Sequence, residues 1–91
     1  MILVTNYRLK PYLPKAEIKK LMDAFATHGA GPGVSHNYVT ADGNQGVTIS
    51  DTEDVAGSYR NLLNYGEWME FDSKLMLPIE VAAPLIYDFL G

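Results

Sequence analysis

The stretch VSHNYVTADGNQGVTISDTED, residues 34–54, contains a hairpin followed at once by a helix start. Two strand-like runs, 34–41 and 46–50, flank Ala41-Asp42-Gly43-Asn44-Gln45. Asp-Gly between such runs is a strong hairpin signal, because these residues accept positive φ at little cost. Val47 and Ile49 alternate with Thr48 and Ser50, so one face of the second run is apolar. Asp51-Thr52-Glu53-Asp54 then offers a capping oxygen and negative charge to the N-terminus of a helix. That helix extends to Asn64 or Tyr65 on an apolar stripe of Val55, Tyr59, Leu62 and Leu63, with Gly57 on a different face.

The flanking segments complete the pattern. Residues 1–9 read as a strand opened by Ile2, Leu3 and Val4 and closed by Pro11 and Pro14. Residues 15–28 read as a helix, with Ile18, Leu21, Met22 and Phe25 on one stripe and Gly29 as its stop. The run Gly29-Ala30-Gly31-Pro32-Gly33 follows a helix and precedes a strand. It is therefore a connector and not a phosphate cradle, which needs the opposite order. Residues 68–77 read as the last strand, before Pro78. Met69, Phe71, Leu75 and Leu77 share one face, interrupted by Ser73, and Trp68, Glu70, Asp72, Lys74 and Met76 share the other. Residues 80–90 make a final helix on Val81, Leu85 and Phe89, which accepts Pro84 only if its first turn reaches that far. The expected fold is one α+β domain over residues 1–91, a ferredoxin-like βαββαβ unit with an extra C-terminal helix.

Bulk properties narrow the classes of function. The chain of 91 residues has no cysteine, which excludes disulfide scaffolds and thiolate metal sites and suits a cytoplasmic location. Its net charge of −4 argues against nucleic-acid binding. Five of its seven basic residues, Arg8, Lys10, Lys15, Lys19 and Lys20, still cluster near the start, as a solvated edge or a docking patch for an acidic partner. No signal peptide and no membrane span is expected.

The second sheet face carries Trp68 and Met76 among charges, with Tyr7, His36 and Tyr38 added according to register. This mixture is too aromatic for plain solvent and too polar for a plain core. A homodimer joined sheet to sheet, an α+β barrel, would bury it; a monomer with its last helix folded over that face is the competing arrangement.

The segments Met1-Ile2-Leu3-Val4-Thr5-Asn6-Tyr7-Arg8, Thr48-Ile49-Ser50-Asp51-Thr52-Glu53-Asp54-Val55 and Trp68-Met69-Glu70-Phe71, followed by Leu77-Pro78-Ile79, resemble a domain-of-unknown-function family of short proteins from bacteria and actinobacterial phages. That family is similar to the dimeric α+β barrel proteins. Their members include cofactor-free monooxygenases, isomerases, haem enzymes and proteins with only a binding role. The resemblance implies the fold and the dimer and transfers no catalytic residue.

Candidate residues follow from chemistry alone. His36 beside Tyr38 is a general base or a haem ligand, or else a packing residue. His28 suits the negative end of the first helix. Glu70 and Asp72 point the same way and form either an acid–base pair or ion pairs with Arg8 and Lys74. Trp68, Tyr7 and Tyr38 line an aromatic pocket or an interface, and Asn6 and Arg8 orient a carbonyl or carboxylate or make ion pairs. Nothing in the spacing asks for a metal or another cofactor. Two functions compete. One is a non-enzymatic dimer, a phage accessory factor that binds a host protein or small ligand through Tyr7, Arg8, His36, Tyr38, Trp68, Glu70 and Met76. The other is a cofactor-free monooxygenase- or isomerase-like enzyme using His36, Tyr38, Trp68 and Asp72.

Overall fold

A computed structural model describes residues 1–91. The elements run β1 (Ile2–Leu9), α1 (Lys15–His28), β2 (Val34–Val39), β3 (Gln45–Asp51), α2 (Val55–Leu63), β4 (Met69–Met76) and α3 (Ile79–Leu90). The strands form one antiparallel sheet in the order β2-β3-β1-β4. This arrangement is compatible with a ferredoxin-like fold, with an added third helix.

The hairpin forms where Asp-Gly predicts it. Gly43 adopts φ 76°, and Asp42 accepts from the Thr40 hydroxyl and the Asn44 amide to close the turn. The start of α2 is capped by Asp54, whose carboxylate accepts from the Gly57 amide at 2.8 Å. The helix ends at Leu63, and its half-buried residues are Val55, Gly57, Ser58, Asn61 and Leu62. Tyr59 and Leu63, both placed on the apolar stripe by sequence, are instead exposed. Only a narrow strip of so short a helix touches the sheet.

Strand register assigns the faces. Leu3, Thr5, Tyr7 and Leu9 of β1 stand opposite Leu75, Ser73, Phe71 and Met69 of β4, on the side covered by α1 and α2. Tyr7 therefore lies under the helices and not on the open face. Its ring crosses β3 at Gly46, where a Cβ would collide with it, and its hydroxyl donates to Asn37 Oδ1 on β2 at 2.8 Å. Phe71 packs beside it, with ring centroids 6.4 Å apart.

Trp68 also departs from the expected face. It sits in the turn before β4, its amide bonded to the Tyr65 carbonyl at 3.0 Å, so strand alternation does not extend to it. Its indole is buried with Leu21 and Tyr65, and Leu9, Leu13, Ala24, Met69 and Phe71 pack around this cluster.

The last helix begins at Ile79. The Ala82 amide already bonds the Pro78 carbonyl, so Pro84 falls inside the helix and deprives the Glu80 carbonyl of its donor. Nor does α3 fold back over the sheet. Leu85 is 60% and Phe89 88% exposed, which removes the monomer arrangement in which this helix covers the open face. The molecule is accordingly long, 57 × 26 × 18 Å, with a radius of gyration of 15.9 Å. A compact chain of this length would give about 12 Å.

Replacing Gly46 with Val should displace the Tyr7 ring and lower stability by about 1–3 kcal/mol, the usual cost of overpacking. In a Tyr7→Ala background the same substitution should cost less than half as much. Urea unfolding of the four proteins measures this, and equal costs in the two backgrounds would show that Gly46 does not serve Tyr7.

Candidate functional site

Two surfaces carry the candidate residues. The first is the open sheet face. Across the four strands its rows read His36, Ile49, Val4 and Lys74, then Tyr38, Val47, Asn6 and Asp72. Arg8 stands opposite Glu70 in the next row, and Ile2 opposite Met76 beyond the first. His36 and Tyr38 thus occupy one edge strand, while Glu70 and Asp72 occupy the other. Three strand spacings, about 14 Å, separate them. Within one subunit the proposed set of His36, Tyr38, Trp68 and Asp72 does not converge, and Trp68 is on the opposite side of the sheet.

The charged groups and the histidine on this face have local partners. Arg8 Nη2 lies 2.7 Å from Glu70 Oε2, and Lys74 Nζ lies 3.1 Å from Asp72 Oδ2. These ion pairs are exposed and contribute little to stability, about 0–1 kcal/mol each. The His36 ring tilts against Tyr38 with centroids 5.9 Å apart, and its Nδ1 is 2.8 Å from the Ser35 hydroxyl. Ser35 is the residue bulged between Val34 and His36, which turns His36 onto the open face. No three His, Asp or Glu side chains come together as a metal site would require, and no helix is long and apolar enough to cross a membrane.

The second surface is a cavity of about 390 Å³ between the sheet and the helix layer. Ile18, Leu21, Met22 and Phe25 of α1 form one wall, Leu62 and Tyr65 another, and Tyr7, Phe71 and Met69 part of the floor. The middle of that floor is polar. Asn37, Thr48, Thr5 and Ser73 make one row across all four strands, directly under the helices. Thr5 and Ser73 bond each other at 2.7 Å. Tyr7 bonds Asn37, which leaves the Asn37 amide nitrogen and the Thr48 hydroxyl without a protein partner. Burial pushes the Tyr7 and Tyr65 hydroxyls above their ordinary pKa, so both remain protonated donors near neutral pH.

The sequence pointed away from this cavity. Asn37, Thr48 and Asn44 carry no sequence motif that marks them as site residues. The available signal was the interruption of apolar runs by Thr5 and Ser73; alternation puts Thr48 on the polar face of β3, and only the register turns that face toward the helices. The stripe on α1 was legible, but Met22 is 58% exposed and lines the cavity mouth instead of packing.

One clamp bounds the cavity. The Trp68 indole Nε1 donates to Glu17 Oε2 at 2.9 Å, and the Tyr65 hydroxyl donates to the Gly29 carbonyl. Asn61 reaches the His28 carbonyl at 3.4 Å, which places His28 at the stitched end of α1. Of the basic residues near the start, Arg8, Lys19 and Lys20 are engaged in ion pairs, the last with Glu17 at 3.1 Å.

No family model matches the chain, and no curated protein matches it.

The Trp68 bond, and then Lys20, hold the Glu17 carboxyl below its ordinary pKa. A lowered folded value means that the stabilisation is complete above the unfolded value near 4.5 and is lost as pH falls through the folded value. Because Trp68 is the single tryptophan, its fluorescence should change as pH falls below the ordinary carboxylate range, while the fold persists by far-ultraviolet circular dichroism. Glu17→Gln should abolish that step; a step of equal size in the variant would place its origin elsewhere.

Proposed function

We propose that the protein is a small cytoplasmic binding protein that works as a homodimer, an accessory factor of the kind that its resemblance to short bacterial and phage proteins implies. The observation that carries this reading is α3. It presents Ile79, Val81, Ala82, Leu85, Ile86, Phe89 and Leu90 on one broad apolar face and leaves Glu80 and Asp88 on the other. Its seven large apolar side chains, Tyr87 included, are each half or more exposed. Leu77 continues this exposed apolar surface at the base of the helix. An extended uncovered apolar surface of this kind marks an interaction site.

A second copy is the occupant that fits best. It brings its own uncovered apolar surface, the open face with Ile2, Val4, Val47 and Ile49 at its centre and Tyr38 and Met76 beside them. Two arms exchanged about a two-fold axis would each meet that surface on the other subunit. A membrane surface fits less well, because the polar side of α3 carries acids and no Lys or Arg. Binding is favoured over catalysis because His36 and Asp72 stand at opposite sheet edges, and Glu70 and Asp72 are each neutralised by a neighbouring cation.

Sedimentation of the full chain between about 1 and 100 μM should give twice the 10.1 kDa subunit mass. The double variant Leu85→Asp/Phe89→Asp should dissociate at least about a hundredfold more readily, since each lost apolar contact contributes about 1.5–3 kcal/mol. A monomeric wild type, an arm variant that stays dimeric, or a wild type that floats with lipid vesicles instead of pairing would overturn the proposal.

A further inference from the structure

We propose that the cavity under α1 is a binding site for a small, uncharged, mostly apolar molecule bearing a carbonyl group. It goes beyond the homodimer reading and stands on features of a single subunit. The volume of about 390 Å³ lies at the small end of the range for small-molecule sites, about 300–1,000 Å³. No Lys, Arg, Asp, Glu or His side chain lines it. A charged guest would find no counter-ion among these side chains, which disfavours it relative to a neutral one of the same length. Ile18, Met22, Phe25 and Leu62 match a hydrocarbon or aromatic body.

The polar row sets the chemistry of the guest's head. Asn37 Oδ1 already accepts the Tyr7 proton, so Asn37 offers its amide N–H groups. Thr48, the cross-strand neighbour of Asn37, offers a hydroxyl. Thr5, the neighbour of Thr48 on β1, is occupied by Ser73. A guest lying along α1 with an acceptor oxygen toward β2 and β3 would take both free donors. A carbonyl is such an acceptor and carries no charge. The same row accounts for the space itself: small hydroxyl and amide side chains stand where a packed α+β domain would place large apolar ones. A cavity with a few convergent polar groups among apolar walls is what a ligand site requires.

The probe pair is 2-octanone and octanoate, equal in chain length and different in charge. Each is titrated into the ¹⁵N-labelled full chain while amide shifts are followed by NMR. The expected result is saturable shifts centred on Asn37, Thr48 and Met22 with 2-octanone, and binding at least about tenfold weaker for octanoate, the penalty of one unpaired charge being at least about 1.4 kcal/mol. Asn37→Leu, at an exposed position on an edge strand, should weaken the binding of 2-octanone and so narrow its advantage over octanoate. The arm variant Leu85→Asp/Phe89→Asp should bind 2-octanone as the wild type does, because the cavity belongs to one subunit. Loss of dimerisation with binding retained would therefore sink only the homodimer reading. Absence of saturable shifts, equal affinity for octanoate, shifts confined to α3, or binding seen only in the arm variant would overturn the ligand site. The last would mean that a partner's arm fills the cavity.

Discussion

The attachment of α1 to the sheet rests on one clamp, and most features of the molecule follow from it. Trp68 and Tyr65 rise from the turn between α2 and β4 and enclose Leu21. Each also satisfies its polar atom on a neighbouring element, the indole on Glu17 and the phenol on the carbonyl of Gly29. Buried aromatic groups with one polar end combine large apolar contact with a directional bond. Here they fix both the distance and the direction of α1. Away from this cluster the helix is not packed down, and Ile18, Met22 and Phe25 remain at the rim of a cavity.

The sheet reinforces that arrangement. A floor of Asn37, Thr48, Thr5 and Ser73 offers short side chains that cannot reach the helix and polar atoms that gain nothing from apolar contact. Thr5 is 7% exposed and spends its hydroxyl on Ser73. Tyr7 is directed sideways across Gly46 toward Asn37, so its ring roofs β3 and does not fill the space below α1. The core is consequently concentrated at one end of the domain. A domain of this size buries only about 60–65% of its unfolded surface in the best case, and this one leaves both a cavity and an apolar arm uncovered. Partners, whether a second copy or a small guest, would supply contacts that the chain does not make with itself.

The open face is governed by charge pairing along and across strands. Arg8 with Glu70 and Lys74 with Asp72 neutralise the β4 side, while His36 and Tyr38 stack along β2. Between them Val4, Val47 and Ile49 form a half-buried centre. This division places chemistry-bearing groups at the margins and leaves the middle of the face suited to contact.

The elements and their order were legible in the residues. Period-two alternation marked the strands, Asp42-Gly43 the hairpin, Asp51-Thr52-Glu53-Asp54 the start of α2, and Pro11, Pro14, Gly29 and Pro78 the breaks, because these signals act between neighbours in the chain. Three features escaped such a reading. Which face of β1 turns inward depends on strand pairing, so Tyr7 could be placed only with the register β1–β4 in hand. Trp68 looks like one more alternating strand residue, yet a single backbone bond from its amide to Tyr65 puts it in a turn and sends the indole into the core. The cavity and its polar row exist only where four strands bring Asn37, Thr48, Thr5 and Ser73 side by side. The sequence by itself determined the secondary structure and the order of the elements, because propensity and periodicity are properties of adjacent residues. The tertiary structure alone decided which side chains share a space, because that depends on pairing between residues far apart in the chain.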